Sequence, residues 1–124
     1  MDMKIVDTAF NEIREILKST VPPCQVTIDK DYHYEVKAIK KDKNGNITSD
    51  KIFGYVIKHD DSITIGFDTA LNDTQKTELF SDYLIHKMNK DSRIRIHEMT
   101  HSLHKDLQYA IEHLLRYYTS MNWI

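Results

Sequence analysis

The chain is poor in backbone punctuation and in cross-links, with three glycines, two prolines and one cysteine in 124 residues. So little Gly and Pro excludes collagenous, fibrous and low-complexity classes. The lone Cys24 allows no internal disulfide and points to a reducing, cytoplasmic setting. Long apolar runs are missing: nothing approaches the roughly 20 residues of a membrane span, so no membrane is expected as a partner. The opening Met1-Asp2-Met3-Lys4-Ile5-Val6-Asp7 carries acids where a signal peptide needs an apolar run. A surplus of positive charge is missing too. Lys and Arg number 17 against 19 Asp and Glu, a net charge of −2, which argues against a dedicated nucleic-acid binder. What is present is 40% apolar and 10% aromatic content, too much for a disordered chain. The length predicts one domain, residues 1–124, able to bury a core unaided.

Hydrophobic period divides the chain. Ile5, Val6, Ala9, Phe10, Ile13, Ile16 and Leu17 recur every three or four residues, the signature of an amphipathic helix. Asp2 can cap its start, and Pro22-Pro23 stops it before Val21. From Gln25 the period becomes two. Val26 and Ile28 alternate with polar neighbours, and Tyr32, Tyr34, Val36 and Ala38 mark one face of a strand whose other face carries His33, Glu35 and Lys37. Lys43-Asn44-Gly45-Asn46 is a hairpin turn signal. Ile52–Ile57 and Ile63–Phe67 are β-branched and aromatic runs joined by His59-Asp60-Asp61-Ser62. These connections are too short for parallel crossovers, so an antiparallel meander is expected. Helical spacing returns with Leu79, Phe80, Tyr83, Leu84 and Met88, capped by Asn72 or Asp73. It returns again, more clearly, with Leu103, Leu107, Ala110, Ile111, Leu114, Leu115 and Tyr118. The expected fold is α+β: a two-layer domain with about five antiparallel strands covered by an N-terminal helix and C-terminal helices.

One motif carries a mechanism. His97-Glu98-Met99-Thr100-His101 matches the H-E-x-x-H pattern of zinc hydrolases. On a helix the two histidines converge on one zinc ion, and the glutamate stands beside the metal-bound water as general base. His104 would join them, since the three imidazoles fall within about 60° around a helix. With seven His and six Glu in the chain, chance yields the pattern about once in 50 arrangements. A local alternative competes. Arg93-Ile94-Arg95-Ile96-His97 alternates polar and apolar as a strand does, and Thr100 or Ser102 could cap a helix that begins afterwards. His97 and His101 would then lie on different elements.

Ile52-Phe53-Gly54-Tyr55-Val56 followed by Asp61-Ser62-Ile63-Thr64-Ile65-Gly66-Phe67 is similar to the strand–turn–strand core of the YdhG-like domain family. Arg93–Ile96 with Leu107, Ala110, Ile111 and Leu114 resembles that family's closing strand and helix. The resemblance covers about half the chain. The stretch Asn72 to Ser92 replaces the family's short glycine-containing turn, and the region from Val21 to Tyr34 departs from its pattern. It implies a compact α+β domain without established chemistry, some of whose members have been likened to frataxin and proposed as iron chaperones. It also implies that Arg93–His97 is a strand and that His101 sits in the following turn.

An iron-binding reading would use clustered carboxylates, and the candidates are Asp2, Asp7, Glu12 and Glu15, with Asp29 and Asp31. Lys4, Arg14 and Lys18 interrupt them, as on a solvated helix face. Asp60-Asp61 is turn chemistry. Cys24 has no adjacent base and reads as a buried small hydrophobe. Residues of the Tyr32–Lys37 strand could bind a small ligand or a peptide if the sheet leaves a concave face. Tyr117, Tyr118 and Trp123 belong either to the core or to an exposed patch suited to a homodimer. The leading expectation is a small, non-enzymatic, cytoplasmic YdhG-like domain that binds a small ligand or protein partner, with no catalytic residue and no cofactor. The alternatives are a zinc hydrolase using His97, Glu98, His101 and His104, and a frataxin-like iron-binding protein.

Overall fold

The three- and four-residue spacing from Val6 to Leu17 folds as helix α1 (Met3–Lys18) in the computed structural model, which describes residues 3–124. Val6, Ala9, Phe10, Ile13, Ile16 and Leu17 are all buried along its inner face. The hydroxyls of Ser19 and Thr20 donate to the carbonyls of Ile16 and Leu17 and close its last turn. Asp2, expected as its cap, lies outside the described residues. Strands β1 (Gln25–Lys30), β2 (His33–Lys41), β3 (Ile47–Lys58) and β4 (Ile63–Gly66) follow. Then come α2 (Asp73–Leu79), α3 (Asp82–Lys87), β5 (Arg93–Ile96) and α4 (His101–Ser120). The five strands pair in chain order, every pair antiparallel, which is the α+β meander the turn signals predict.

Turn chemistry fixes the hairpins. Between β2 and β3, Asp42 Oδ1 accepts from the backbone N–H groups of Asn44 and Asn46, each at 2.9 Å, while Gly45 takes the left-handed φ of +84°. Between β3 and β4, His59 N–H donates to Ser62 O at 2.8 Å. The β2–β3 register passes from Val36↔Gly54 to Lys37↔Ile52, so Phe53 is the extra residue of a bulge. The bulge turns Phe53 into the core, edge-on to Tyr118 of α4 at 5.1 Å. Gly54 then lies directly beneath α1, where an added Cβ would stand 2.9 Å from Leu17 Cδ2.

One continuous apolar cluster joins α1, α4 and the α2–α3 segment to Tyr34, Val36, Ala38, Val56, Ile63, Ile65, Ile94 and Ile96 on the same side of the sheet. All helices therefore cover one face, and the other face is left open. The structure departs from the periodic pattern at several places, and Ile5 of the expected α1 stripe is exposed. Tyr32 does not share the inward face of Tyr34, Val36 and Ala38. Because Lys30 pairs with His33, Asp31 and Tyr32 form a two-residue turn, and Tyr32 is 52% exposed. Val26, opposite Val36 on the helix-bearing side, stays exposed because β1 is a sheet edge. The helix expected after Leu71 is two short helices. Phe80 is extended, with φ −117° and ψ 151°, and Ser81 caps a fresh start by accepting from Leu84 N–H. Asn72 caps α2 as expected, reciprocally with Gln75.

Candidate functional site

The strand signature and the helix caps decide where the H-E-x-x-H residues go. β5 alternates Arg93 and Arg95 outward with Ile94 and Ile96 inward, and it pairs with β4 through Ile63↔Ile96 and Ile65↔Ile94. The chain then bends through His97 and Glu98, and Thr100 caps α4 by accepting from Leu103 N–H at 3.1 Å. The continuous helix over 93–104 that a three-imidazole zinc face needs is not formed. His97 stays at the β3–β4 turn, its Nδ1 3.0 Å from Asp61 O. His101 is the first residue of α4 rather than part of the turn, because Thr100 starts the helix just before it.

His104, the third imidazole of the expected zinc face, meets a partner that the motif does not contain. His104 Nδ1 lies 2.7 Å from Glu12 Oε2 of α1, with the two side chains 30% and 35% exposed. Glu12 and Met99 are shared by two adjoining surface grooves between α1 and the start of α4. One, of about 290 Å³, is lined by Glu98, Thr8 and Ala9 as well. The second, of about 460 Å³, includes His101 and His104. Glu98 lines the first groove and His101 and His104 the second, of these only His104 contacts Glu12, and His97 lines neither. Among the described residues, no three His, Cys, Asp or Glu side chains converge as metal ligands.

Two of the α1 carboxylates are taken up singly. Asp7 pairs with Lys58 Nζ at 2.7 Å and Glu12 with His104, so they do not form an unbroken acidic ridge. Cys24 is buried, and burial pushes its thiol pKa up, outweighing a lowering hydrogen bond with Thr20. A thiol held protonated in this way is a poor nucleophile. Tyr118 is wholly buried and donates to Ile52 O at 2.6 Å; burial pushes its phenol pKa up as well. Trp123 packs edge-on against Tyr117 and Tyr118, with Lys51 Nζ 4.3 Å from its ring centre.

The open sheet face has an order of its own. Glu35, Tyr55, Gly66 and Arg93 stand in one row across β2–β5, and His33, Ile57, Thr64 and Arg95 in the next. The Tyr55 ring lies over Gly66 so closely that an added Cβ there would be 2.0 Å from Tyr55 Cζ. Its hydroxyl accepts from Arg93 Nε at 2.8 Å. Arg95 Nε donates to Ser62 Oγ at 2.9 Å, and His59 Nε2 contacts Thr64 Oγ1 at 2.9 Å. Farther across, Glu35 accepts from the Thr27 hydroxyl at 2.7 Å, and Lys37 faces Asp50 at 3.4 Å. Sequence reasoning placed Tyr55 and the two arginines only in strands. The alternation Arg93-Ile94-Arg95-Ile96 was the available signal, since it puts both guanidinium groups on one face.

Compared with known proteins, the chain matches no family model, no curated protein and no solved structure.

Proposed function

We propose that the protein is a non-enzymatic binding domain and that the open sheet face is its binding surface. The observation that carries this reading is the one-sided helical layer, which leaves Ile57, Thr64, Arg93 and Arg95 on an uncovered face, with the buried Tyr55 holding Arg93 in place. A sheet face with no role beyond hydration would be polar at alternate positions. This one sets half-buried Ile57 in the row of Arg95 and carries half-buried Ile39 and Ile52 farther along β2 and β3. The helix–meander–helix order is of the general kind that the YdhG-like resemblance implies. A cytoplasmic setting fits a single thiol that is buried and unpaired. Homodimerisation through the C-terminal aromatic residues has less support, because Trp123 folds back on Tyr118.

The test is an amide NMR titration of the whole chain with a panel of small anions, sugars and nucleosides. Saturable shifts on β2–β5 residues of the open face are the expected result. Shifts confined to the α1–α4 groove, or reproducible substrate turnover by the purified protein, would overturn the reading.

A further inference from the structure

We propose that Arg93 and Arg95 form a binding site for a small phosphate- or diphosphate-bearing ligand. The inference rests on the open face being the binding surface and names the chemistry of what binds there. Both residues lie on the outward side of a four-residue strand, two positions apart, which sets their Cα atoms about 7 Å from each other. Each guanidinium is held through a single donor. Arg93 Nε is bonded to the Tyr55 hydroxyl and Arg95 Nε to the Ser62 hydroxyl. The Nη groups of both are left as forks that match two oxygens of an oxyanion.

Neither arginine has an acidic partner among the described residues, where the ion pairs are Lys37–Asp50, Lys58–Asp7 and His104–Glu12. Two cations fixed by neutral hydroxyls keep their whole charge for a ligand, and fixing them in advance lowers the entropy lost on binding. The floor between them is formed by the Tyr55 ring and Thr64. The Tyr55 ring lies over Gly66, opposite Arg93, and Thr64, opposite Arg95, has its hydroxyl engaged with His59. The nearest carboxylate in those rows, Glu35, lies on β2 and is engaged by Thr27. Two guanidinium groups on a chain of net charge −2 suit a compact anion rather than a nucleic-acid backbone, which needs a long basic track.

The experiment is an NMR titration of the full chain with sodium pyrophosphate and with inorganic phosphate, followed at the backbone amides and the arginine Nε–H signals. Sodium sulfate and citrate at matched ionic strength are the controls. Saturable shifts at Thr64, Gly66, Arg93 and Arg95, with pyrophosphate at least tenfold tighter than sulfate or citrate, are expected. Arg93→Gln and Arg95→Gln should each weaken pyrophosphate at least tenfold. The charge-preserving Arg93→Lys and Arg95→Lys should weaken it as well, because lysine lacks the fork and its Nε anchor. Unchanged affinity in the lysine variants would reduce the effect to diffuse charge and overturn the proposal, as would the absence of saturable binding. Tighter binding of citrate than pyrophosphate would overturn the phosphate assignment. Saturable shifts elsewhere on the sheet face that persist in all four variants would overturn the arginine site alone. Shifts confined to the α1–α4 groove would overturn the binding-face reading with it.

Discussion

Replacing Ser92 with glycine should stabilise the protein, and the reason lies in the turn that feeds β5. Asn89 to Ser92 is a tight turn in which Ser92 N–H donates to Asn89 O at 3.1 Å and Asn89 N–H to Arg93 O at 2.9 Å. Met88 and Ile94 form an antiparallel bridge just outside it. Ser92 closes the turn at φ +62°, a left-handed position where hairpins with a bulge use glycine. For a residue with a Cβ that conformation costs about 1–2 kcal/mol. Ser92 is also fully buried, and its hydroxyl has no hydrogen-bond partner. An orphaned buried hydroxyl costs about 1–3 kcal/mol. Glycine removes both penalties and adds about 0.4–1 kcal/mol of unfolded-state entropy in the opposite sense. The sum is a gain of about 1–5 kcal/mol, which for a chain of this length raises Tm by about 4–20 °C. Urea denaturation and a thermal scan of Ser92→Gly measure it, with Ser92→Ala as the separating control. Alanine removes the hydroxyl but keeps the strain, so it should gain less than glycine. A Ser92→Gly protein no more stable than wild type would refute the reasoning, and alanine equal to glycine would show that the backbone conformation costs nothing.

Gly66→Ala places a Cβ inside the Tyr55 ring, so the ring must move and release Arg93; a loss of about 1–3 kcal/mol by chemical denaturation is expected, together with a shifted Arg93 Nε–H signal. Tyr118→Phe leaves the Ile52 carbonyl without its donor in the core and should cost about 1–3 kcal/mol in the same assay; an unchanged midpoint would mean that the bond contributes nothing. Cys24 should resist a thiol reagent at neutral pH and react promptly in denaturant. Because its folded pKa is raised, the stability it contributes is present below the unfolded thiol pKa and lost as pH rises through the folded one, which a pH series of unfolding curves checks. Asp42 behaves oppositely. The Asn46 N–H above all, with Asn44 and Gly45, holds its carboxyl below the usual range, so the turn's order is present above the ordinary carboxylate pKa and lost as pH falls through the folded one. The amide shifts of Asn44 and Asn46, followed by NMR from about pH 5 to about pH 2, should report that loss.

The two periods legible in the chain were enough to predict its architecture, because each element's apolar pattern is also its burial pattern. The α1 stripe from Val6 to Leu17 and the α4 stripe from Leu103 to Tyr118 are buried almost position for position. The pattern misleads where burial depends on partners remote in sequence. Val26 alternates like an inward residue, yet β1 ended at the edge of the sheet, where nothing covers it. Tyr32 fits the inward series by parity, yet the register Lys30↔His33 makes it the tip of a turn. No local signal marks Phe53 as a bulge, but that bulge brings two consecutive residues, Phe53 and Gly54, beneath the helical layer. The open face was invisible for a related reason. Which side of a meander the helices choose is a property of the packed whole, and so was the partnership of Tyr55 with Arg93 across two strand boundaries.

The H-E-x-x-H stretch shows how a chemical motif depends on the element that carries it. Four-residue spacing brings two imidazoles together only on a helix. Extending α4 back through residue 93 would withdraw Ile94 and Ile96 from the core, where they are 0% and 5% exposed. Each burial is worth about 1.5–3 kcal/mol. The extension would also strip the outer strand from β4 and forfeit the Thr100 cap, another contribution of about 1 kcal/mol. Intrinsic helix preference differs by less than about 1 kcal/mol per residue, and β-branched isoleucine gives no advantage there. The packed sheet therefore wins locally, and the motif is divided between a strand end, a bend and a helix start. His97 then takes a partner that the motif does not contain, Asp61 O, and the nearby His104 meets Glu12. The same alternation that pulls Ile94 and Ile96 inward turns Arg93 and Arg95 outward. The force that dismantles the zinc geometry is thus the one that assembles the cationic pair on the opposite side of β5.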